Sequence, residues 1–143
     1  MAAFWHCGLT VSDIARSTAF YRDVVGMAQG QSLASASPAL ATLVGIPGAR
    51  LDSVFLTAGS FTLQLVAYEA GAGEAVTPGH NRPGSPHLSF FVPDIEACRA
   101  AIAARGDVPI TSPIVINDRR TIRSFYVADP DGVPVEFVER LAD

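Results

Sequence analysis

Four side chains able to hold a divalent cation recur at matched places along the chain: His6 and His87, then Gln64 and Glu136. Two imidazoles, an amide oxygen and a carboxylate suit one first-row divalent ion, Co, Ni, Mn, Zn or Fe, with positions left for water or a substrate oxygen. Taken singly, each has an ordinary explanation. A strand histidine is as readily a hydrogen-bonded structural residue, Gln64 a solvent-facing polar residue, and Glu136 a surface carboxylate. An internal repeat binds them together. Phe4-Trp5-His6-Cys7-Gly8-Leu9-Thr10-Val11-Ser12-Asp13-Ile14 returns as Pro86-His87-Leu88-Ser89-Phe90-Phe91-Val92-Pro93-Asp94-Ile95, so that His6, Val11, Asp13 and Ile14 meet His87, Val92, Asp94 and Ile95 at one offset. Farther on, Ser53-Val54-Phe55-Leu56 meets Ser124-Phe125-Tyr126-Val127, and after a turn one residue longer Gln64 falls opposite Glu136.

The elements that position these residues follow from hydrophobic periodicity. Trp5, Cys7, Leu9 and Val11 alternate as the apolar row of a strand, leaving His6, Gly8 and Thr10 on the other face. Ser12 is the expected N-cap of a helix with Ile14, Thr18, Tyr21 and Val25 on its inner stripe and Gly26 at its end; this helix should cover the Trp5-Cys7-Leu9 face. A strand is expected within residues 27–36, then a short helix from Ser37-Pro38 to Val44 that has no counterpart in the second copy. Arg50 to Thr57 and Phe61 to Tyr68 read as a hairpin joined by Ala58-Gly59-Ser60. The second copy repeats the plan. It has a strand at residues 86–92, a helix from its Asp94 cap to Ala104 with Ile95, Cys98 and Ile102 inward, and strands Thr121 to Ala128 and Val133 to Glu139 around Asp129-Pro130-Asp131-Gly132. Strand alternation puts Gln64 and Glu136 on the helix-free face with the two histidines. The expected fold is therefore α+β: two βαβββ modules, one over about residues 1–70 and one over 86–143, joined by a Gly/Pro-rich linker over 69–85 into a single domain whose curled mixed sheet surrounds the metal site.

Composition narrows the partners. Hydrophobic residues make up 49% and charged residues 17% of the 143 positions, which suits a compact chain with a real interior. A net charge of −4 without a basic run argues against nucleic acid, and no apolar stretch approaches the roughly 20 residues of a membrane span. Nothing near the N-terminus has the form of a secretion signal, so the cytoplasm is the expected compartment. Cys7 and Cys98 lack the spacing of a metal or redox motif and read as small buried hydrophobes. A small molecule is the expected partner.

Over essentially its whole length the chain resembles the vicinal oxygen chelate superfamily, the glyoxalase, bleomycin-resistance and extradiol dioxygenase group. The resemblance rests on His6 with Leu9-Thr10-Val11-Ser12-Asp13, Phe20-Tyr21-Arg22-Asp23 before Gly26, His87 with Val92-Pro93-Asp94-Ile95, and Asp129-Pro130-Asp131-Gly132 before Glu136. It implies paired modules around one divalent metal, ligands at His6, Gln64, His87 and Glu136, and a homodimer. Where glyoxalase I-like members commonly offer a carboxylate from the fourth strand, this chain offers Gln64, which is more similar to methylmalonyl-CoA epimerase.

A neutral amide beside one carboxylate leaves a divalent centre with net positive charge, which favours an enolate or enediolate oxygen. The expected activity is thus that of a metal-dependent lyase, isomerase or epimerase moving a proton on a small carbonyl or thioester compound. Glu136 is the first candidate base, and Asp52, which aligns near a second acid/base carboxylate of the epimerase-like members, is the other. Arg123 mirrors Asp52 in the second copy and is the candidate for holding a substrate anion. Two other classes stay open: an Fe(II) extradiol dioxygenase using His6, His87 and Glu136, and a metal-free binding or resistance protein. The first generally needs a further acid/base residue near the metal, and His80, the remaining histidine, is expected to be solvated in the linker.

Overall fold

A computed structural model describes residues 1–141. The chain divides between Ala75 and Val76 into two compact units, within the expected linker. The first unit, module 1, contains β1 (Cys7–Thr10), α1 (Ile14–Asp23), β2 (Ala28–Ala36), α2 (Pro38–Val44), β3 (Arg50–Ala58) and β4 (Phe61–Ala70). Module 2 contains β5 (Leu88–Phe91), α3 (Ile95–Arg105), β6 (Val115–Ile116), β7 (Ile122–Ala128) and β8 (Pro134–Arg140). Each builds its own four-stranded mixed sheet, ordered β1-β4-β3-β2 and β5-β8-β7-β6. The βαβββ plan is present in both, with α2 as module 1's addition.

In each sheet the first strand pairs in parallel with the last, and the remaining contacts are antiparallel. Parallel neighbours cannot be joined by a tight turn, so the helix and two further strands form the connection. In module 1, Phe20 and Tyr21 of α1 are buried together with Val54 and Leu56 of β3 and Leu63 and Leu65 of β4. Module 2 repeats this with Ile95 and Ile102 of α3, Phe125 and Val127 of β7, and Val135 and Phe137 of β8; the Phe125 and Phe137 rings stack at 5.4 Å. Alternate residues along each strand therefore point to a helix-covered face and to an opposite face.

Local chemistry sets the helix ends. Asp13 caps α1, its Oδ1 accepting from Arg16 N at 2.9 Å, and Asp94 caps α3 in the same way through Ala97 N at 2.9 Å. The expected Ser12 cap is thus displaced by one residue; Ser12 Oγ instead accepts from Arg16 Nη2 at 3.1 Å. A carboxylate one residue nearer the helix reaches the free N–H and complements the positive end of the helix. Trp5 also departs from expectation. It precedes the four-residue β1 and is 75% exposed, so α1 covers the Cys7 and Leu9 side of the strand without it. Ser37 caps α2 and Gly45 ends it in the left-handed region, as the sequence indicates.

The hairpin turns differ in length. Gly59 and Ser60 alone separate the paired Ala58 and Phe61, whereas Asp129 to Val133 lie between the paired Ala128 and Pro134. In the longer turn Asp129 is 3% exposed, and its Oδ1 accepts from the backbone N–H of Asp131 at 2.9 Å and of Val133 at 2.7 Å. Asp129→Ala strands both amides and should cost on the order of 2–3 kcal/mol in chemical denaturation. Asp129→Asn keeps an acceptor in place and should lose clearly less.

Candidate functional site

In module 1, the parallel pairing of β1 with β4 sets Gly8 beside Gln64, and the antiparallel pairing of β3 with β4 sets Phe55 on Gln64's other side. His6 stands immediately before β1, two residues from Gly8, and its ring lies edge-on to Phe55 at 5.7 Å and to Trp5 at 4.4 Å. His6 Nδ1 is buried without a hydrogen-bond partner. A side chain at Gly8 would meet no atom within 4 Å, so there is open space beside Gln64.

Module 2 reproduces these places with different chemistry. Ser89 pairs with Glu136 across β5 and β8, and Tyr126 pairs with Glu136 across β7 and β8. His87 stands immediately before β5, its ring 6.4 Å from that of Tyr126 and steeply inclined to it. Ser89 Oγ donates to Glu136 Oε2 at 2.8 Å, and Tyr126, directly across the ladder, holds its phenol close enough to feel the Glu136 charge. Thus Gly8, Phe55 and Gln64 in one module correspond to Ser89, Tyr126 and Glu136 in the other. The longer turn preserves the match, because the extra residue lies outside both pairs.

Among the described residues, no three His, Cys, Asp or Glu side chains are grouped so as to hold a metal ion. Each offers one histidine with one oxygen donor. These groups fit a divalent cation in chemistry: an imidazole nitrogen buried without a partner is costly until a cation or proton donor meets it, and the carboxylate is already held in orientation.

Two sequence candidates fall elsewhere. Strand alternation puts Asp52 with Val54 and Leu56, the face toward α1, whereas Gln64 and Phe55 occupy the opposite face. Arg123, its counterpart, confirms the parity directly. Its guanidinium binds Glu139, with Nε to Oε2 at 2.8 Å and a second contact from Nη2, and reaches Glu96 of α3 at 3.3 Å. Two carboxylates on the helix side already neutralise Arg123, and an anion beside Glu136 lies on the other side of the sheet. Asp52 and Arg123 correspond to each other in the two modules, each on the helix side of its sheet and away from the metal-type donors.

His80 is exposed, as expected, and its ring also lies edge-on to Tyr126 at 4.6 Å. The segment carrying it is fastened by Gly79 N to Ser85 Oγ at 2.9 Å and by Arg82 Nη1 to Thr77 O at 3.1 Å. Tyr126 and Ser89 were not singled out from sequence, although their alignment with Phe55 and Gly8 was the signal that could have found them.

Burial raises the Tyr126 phenol above the ordinary tyrosine range, and the neighbouring Glu136 carboxylate pushes it further up. The folded protein therefore favours the neutral phenol. That contribution to stability is complete below the ordinary tyrosine value of about 10 and is lost as pH rises through the raised folded value. Ultraviolet titration of the wild type against Tyr126→Phe isolates this phenol; in Glu136→Gln its midpoint should move down, toward the ordinary value.

Comparison with known proteins gives the fold a family. A model described as the Glyoxalase/Bleomycin resistance protein/Dioxygenase superfamily matches residues 3–137. A glyoxalase family protein from Bacillus cereus is similar at a TM-score of 0.87 with 13% identity, covering 99% of this chain and 96% of that one. The fosfomycin resistance protein FosX from Listeria monocytogenes gives 0.68 with 17% identity, covering 99% and 95% of the two chains. Lactoylglutathione lyase from Agrobacterium tumefaciens gives 0.63 with 25% identity, covering 97% and 94%. The first two likenesses, at such low identity, speak for the fold alone. No curated protein matches the chain. Among the described residues no helix is long and apolar enough to cross a membrane. The family match spans both modules, from ahead of the first histidine to beyond the glutamate, and the chain belongs to the glyoxalase/bleomycin resistance protein/dioxygenase superfamily.

Proposed function

We propose that this chain is a divalent-metal-dependent enzyme that transfers a proton on a small carbonyl or thioester substrate, as a lyase, isomerase or epimerase. The observation that carries the reading is the repeated placement of a histidine ahead of the first strand and an oxygen donor on the last, with His6 Nδ1 buried and unpartnered. His6, Gln64, His87 and Glu136 would hold the ion, drawn from Co, Ni, Mn, Zn or Fe. The bound ion would supply stabilisation of negative charge developing on a substrate oxygen.

The residues of the chain do the rest. Glu136 is the carboxylate that takes and returns the proton, through the oxygen that does not hold the ion; Ser89 donates to it and Tyr126 lies directly across the ladder. Asp52, on the face toward α1, is not given that role, and Arg123, committed to Glu139 and Glu96, is not given the substrate anion. The aromatic rings of Trp5 and Phe55 flank His6, and that of Tyr126 flanks His87. A cytoplasmic homodimer acting on a small molecule completes the proposal, the dimer to be read by sedimentation velocity.

One observation favours a second reading, a ring-cleaving dioxygenase using Fe(II). His80, the further histidine that such chemistry calls for, rests on Tyr126. The two readings separate by cofactor and by oxygen.

Wild-type protein loaded with Co(II) or Ni(II) should exchange a carbon-bound proton for solvent deuterium in a panel of 2-oxoaldehyde thiol adducts and acyl-CoA thioesters, followed by NMR. Fe(II)-dependent oxygen uptake with catechols, and no exchange, would reverse the assignment. Glu136→Gln should lower the exchange rate by about 100-fold or more, the usual worth of a positioned base. His6→Ala should bring metal content, measured by emission spectroscopy after gel filtration, from near one ion per chain to a small fraction of it; unchanged content would remove His6 from the site.

A further inference from the structure

The two modules present equivalent sheet positions, and one difference between them has no part in the metal assignment itself. In module 1 the neighbours of Gln64 are Gly8 and Phe55, neither of which has a side chain able to donate a hydrogen bond. In module 2 both neighbours of Glu136 have gained a hydroxyl, Ser89 on β5 and Tyr126 on β7. Ser89 Oγ donates to Glu136 Oε2 at 2.8 Å, and Tyr126 flanks the same carboxylate from the opposite strand, its phenol within reach of the Glu136 charge.

We propose that Ser89 and Tyr126 are positioning residues that clamp the Glu136 carboxylate from both flanking strands, making it the fixed donor, while Gln64, without such neighbours, is the adaptable one. The inference rests on the metal reading above and goes beyond it, because it ranks the donors by how firmly each is held. A carboxylate free to rotate samples several rotamers and both oxygens, whereas two donors on opposite sides select one orientation. The strand pairings supply the geometry. A residue directly across a ladder is the one neighbour whose side chain must lie alongside, so a hydroxyl there acts whatever the surrounding loops do.

His80 extends the clamp outward. Its ring packs on Tyr126 from a segment closed by its own hydrogen bonds, so the ring flanking Glu136 is itself held. A clamp of this kind acts through orientation, and its removal shows in affinity and in the geometry of the bound ion more than in the fold.

The experiment titrates metal-free protein with Co(II), following both affinity and the visible absorption spectrum, whose band positions and intensity report coordination geometry. Wild type, Ser89→Ala, Ser89→Thr, Tyr126→Phe and the double variant Ser89→Ala/Tyr126→Phe are compared, each first shown to be folded by circular dichroism and an unbroken thermal transition. Ser89→Ala and Tyr126→Phe should each weaken Co(II) binding by about tenfold or more and alter the spectrum, in the range usual for residues that orient a ligand. Ser89→Thr, which keeps the hydroxyl, should restore both. Folded Ser89→Ala and Tyr126→Phe proteins with wild-type affinity and spectrum overturn the clamp while leaving the metal site standing. Absence of Co(II) uptake by the wild type overturns the metal reading and the clamp with it.

Discussion

The parallel pairing of the first strand of each module with its last is the constraint on which the rest depends. Without it the histidine that precedes β1 or β5 and the oxygen donor on β4 or β8 would be separated by the length of the module. With it they share one sheet face, since Gly8 lies beside Gln64 and Ser89 beside Glu136. A parallel ladder also requires a long crossover, and this is why a helix follows each first strand and covers the other face. Apolar packing beneath α1 and α3 and polar chemistry on the opposite face are two results of one pairing choice. Each module takes the same choice, so the same pair of places is generated twice.

Corresponding strand pairings have been given unequal side chains. The module 1 triplet of Gly8, Phe55 and Gln64 is uncharged and has open space at the glycine. In the module 2 triplet of Ser89, Tyr126 and Glu136, Ser89 donates to the carboxylate, and burial together with the Glu136 charge raises the tyrosine phenol. One module supplies room and a neutral oxygen, the other a fixed carboxylate. The difference lies in three side chains on a common register.

Much of this was legible in the sequence because repeats and strand alternation are local signals that survive translation into structure. The match of Phe55 with Tyr126 and of Gln64 with Glu136 is recovered in the observed pairings, and the helices at 14–23, 38–44 and 95–105 lie where capping residues and periodicity indicate. What was not legible depends on atoms that are distant in sequence. Asp52 and Arg123 were matched to each other correctly, but Arg123's commitment to Glu96 and Glu139 needs α3 packed over β7 and β8. His80 is in a Gly/Pro-rich stretch whose composition indicates a loop and nothing about what the loop rests on. Trp5 alternates correctly with Cys7 and Leu9, yet pattern alone cannot tell that the strand has not begun.

The unequal hairpin turns have an evolutionary meaning. A turn can gain or lose a residue without changing which residues face one another farther along the ladder, provided the strands keep their pairing. Gly59-Ser60 and the Asp129-centred turn have diverged in this permissive place, whereas the Phe55-Gln64 and Tyr126-Glu136 pairs retain corresponding positions. An ancestral duplicated half could thus drift in contour at its hairpin ends while its paired interior remained free to specialise by substitution alone. Length variation and chemical variation were confined to different parts of the same hairpin.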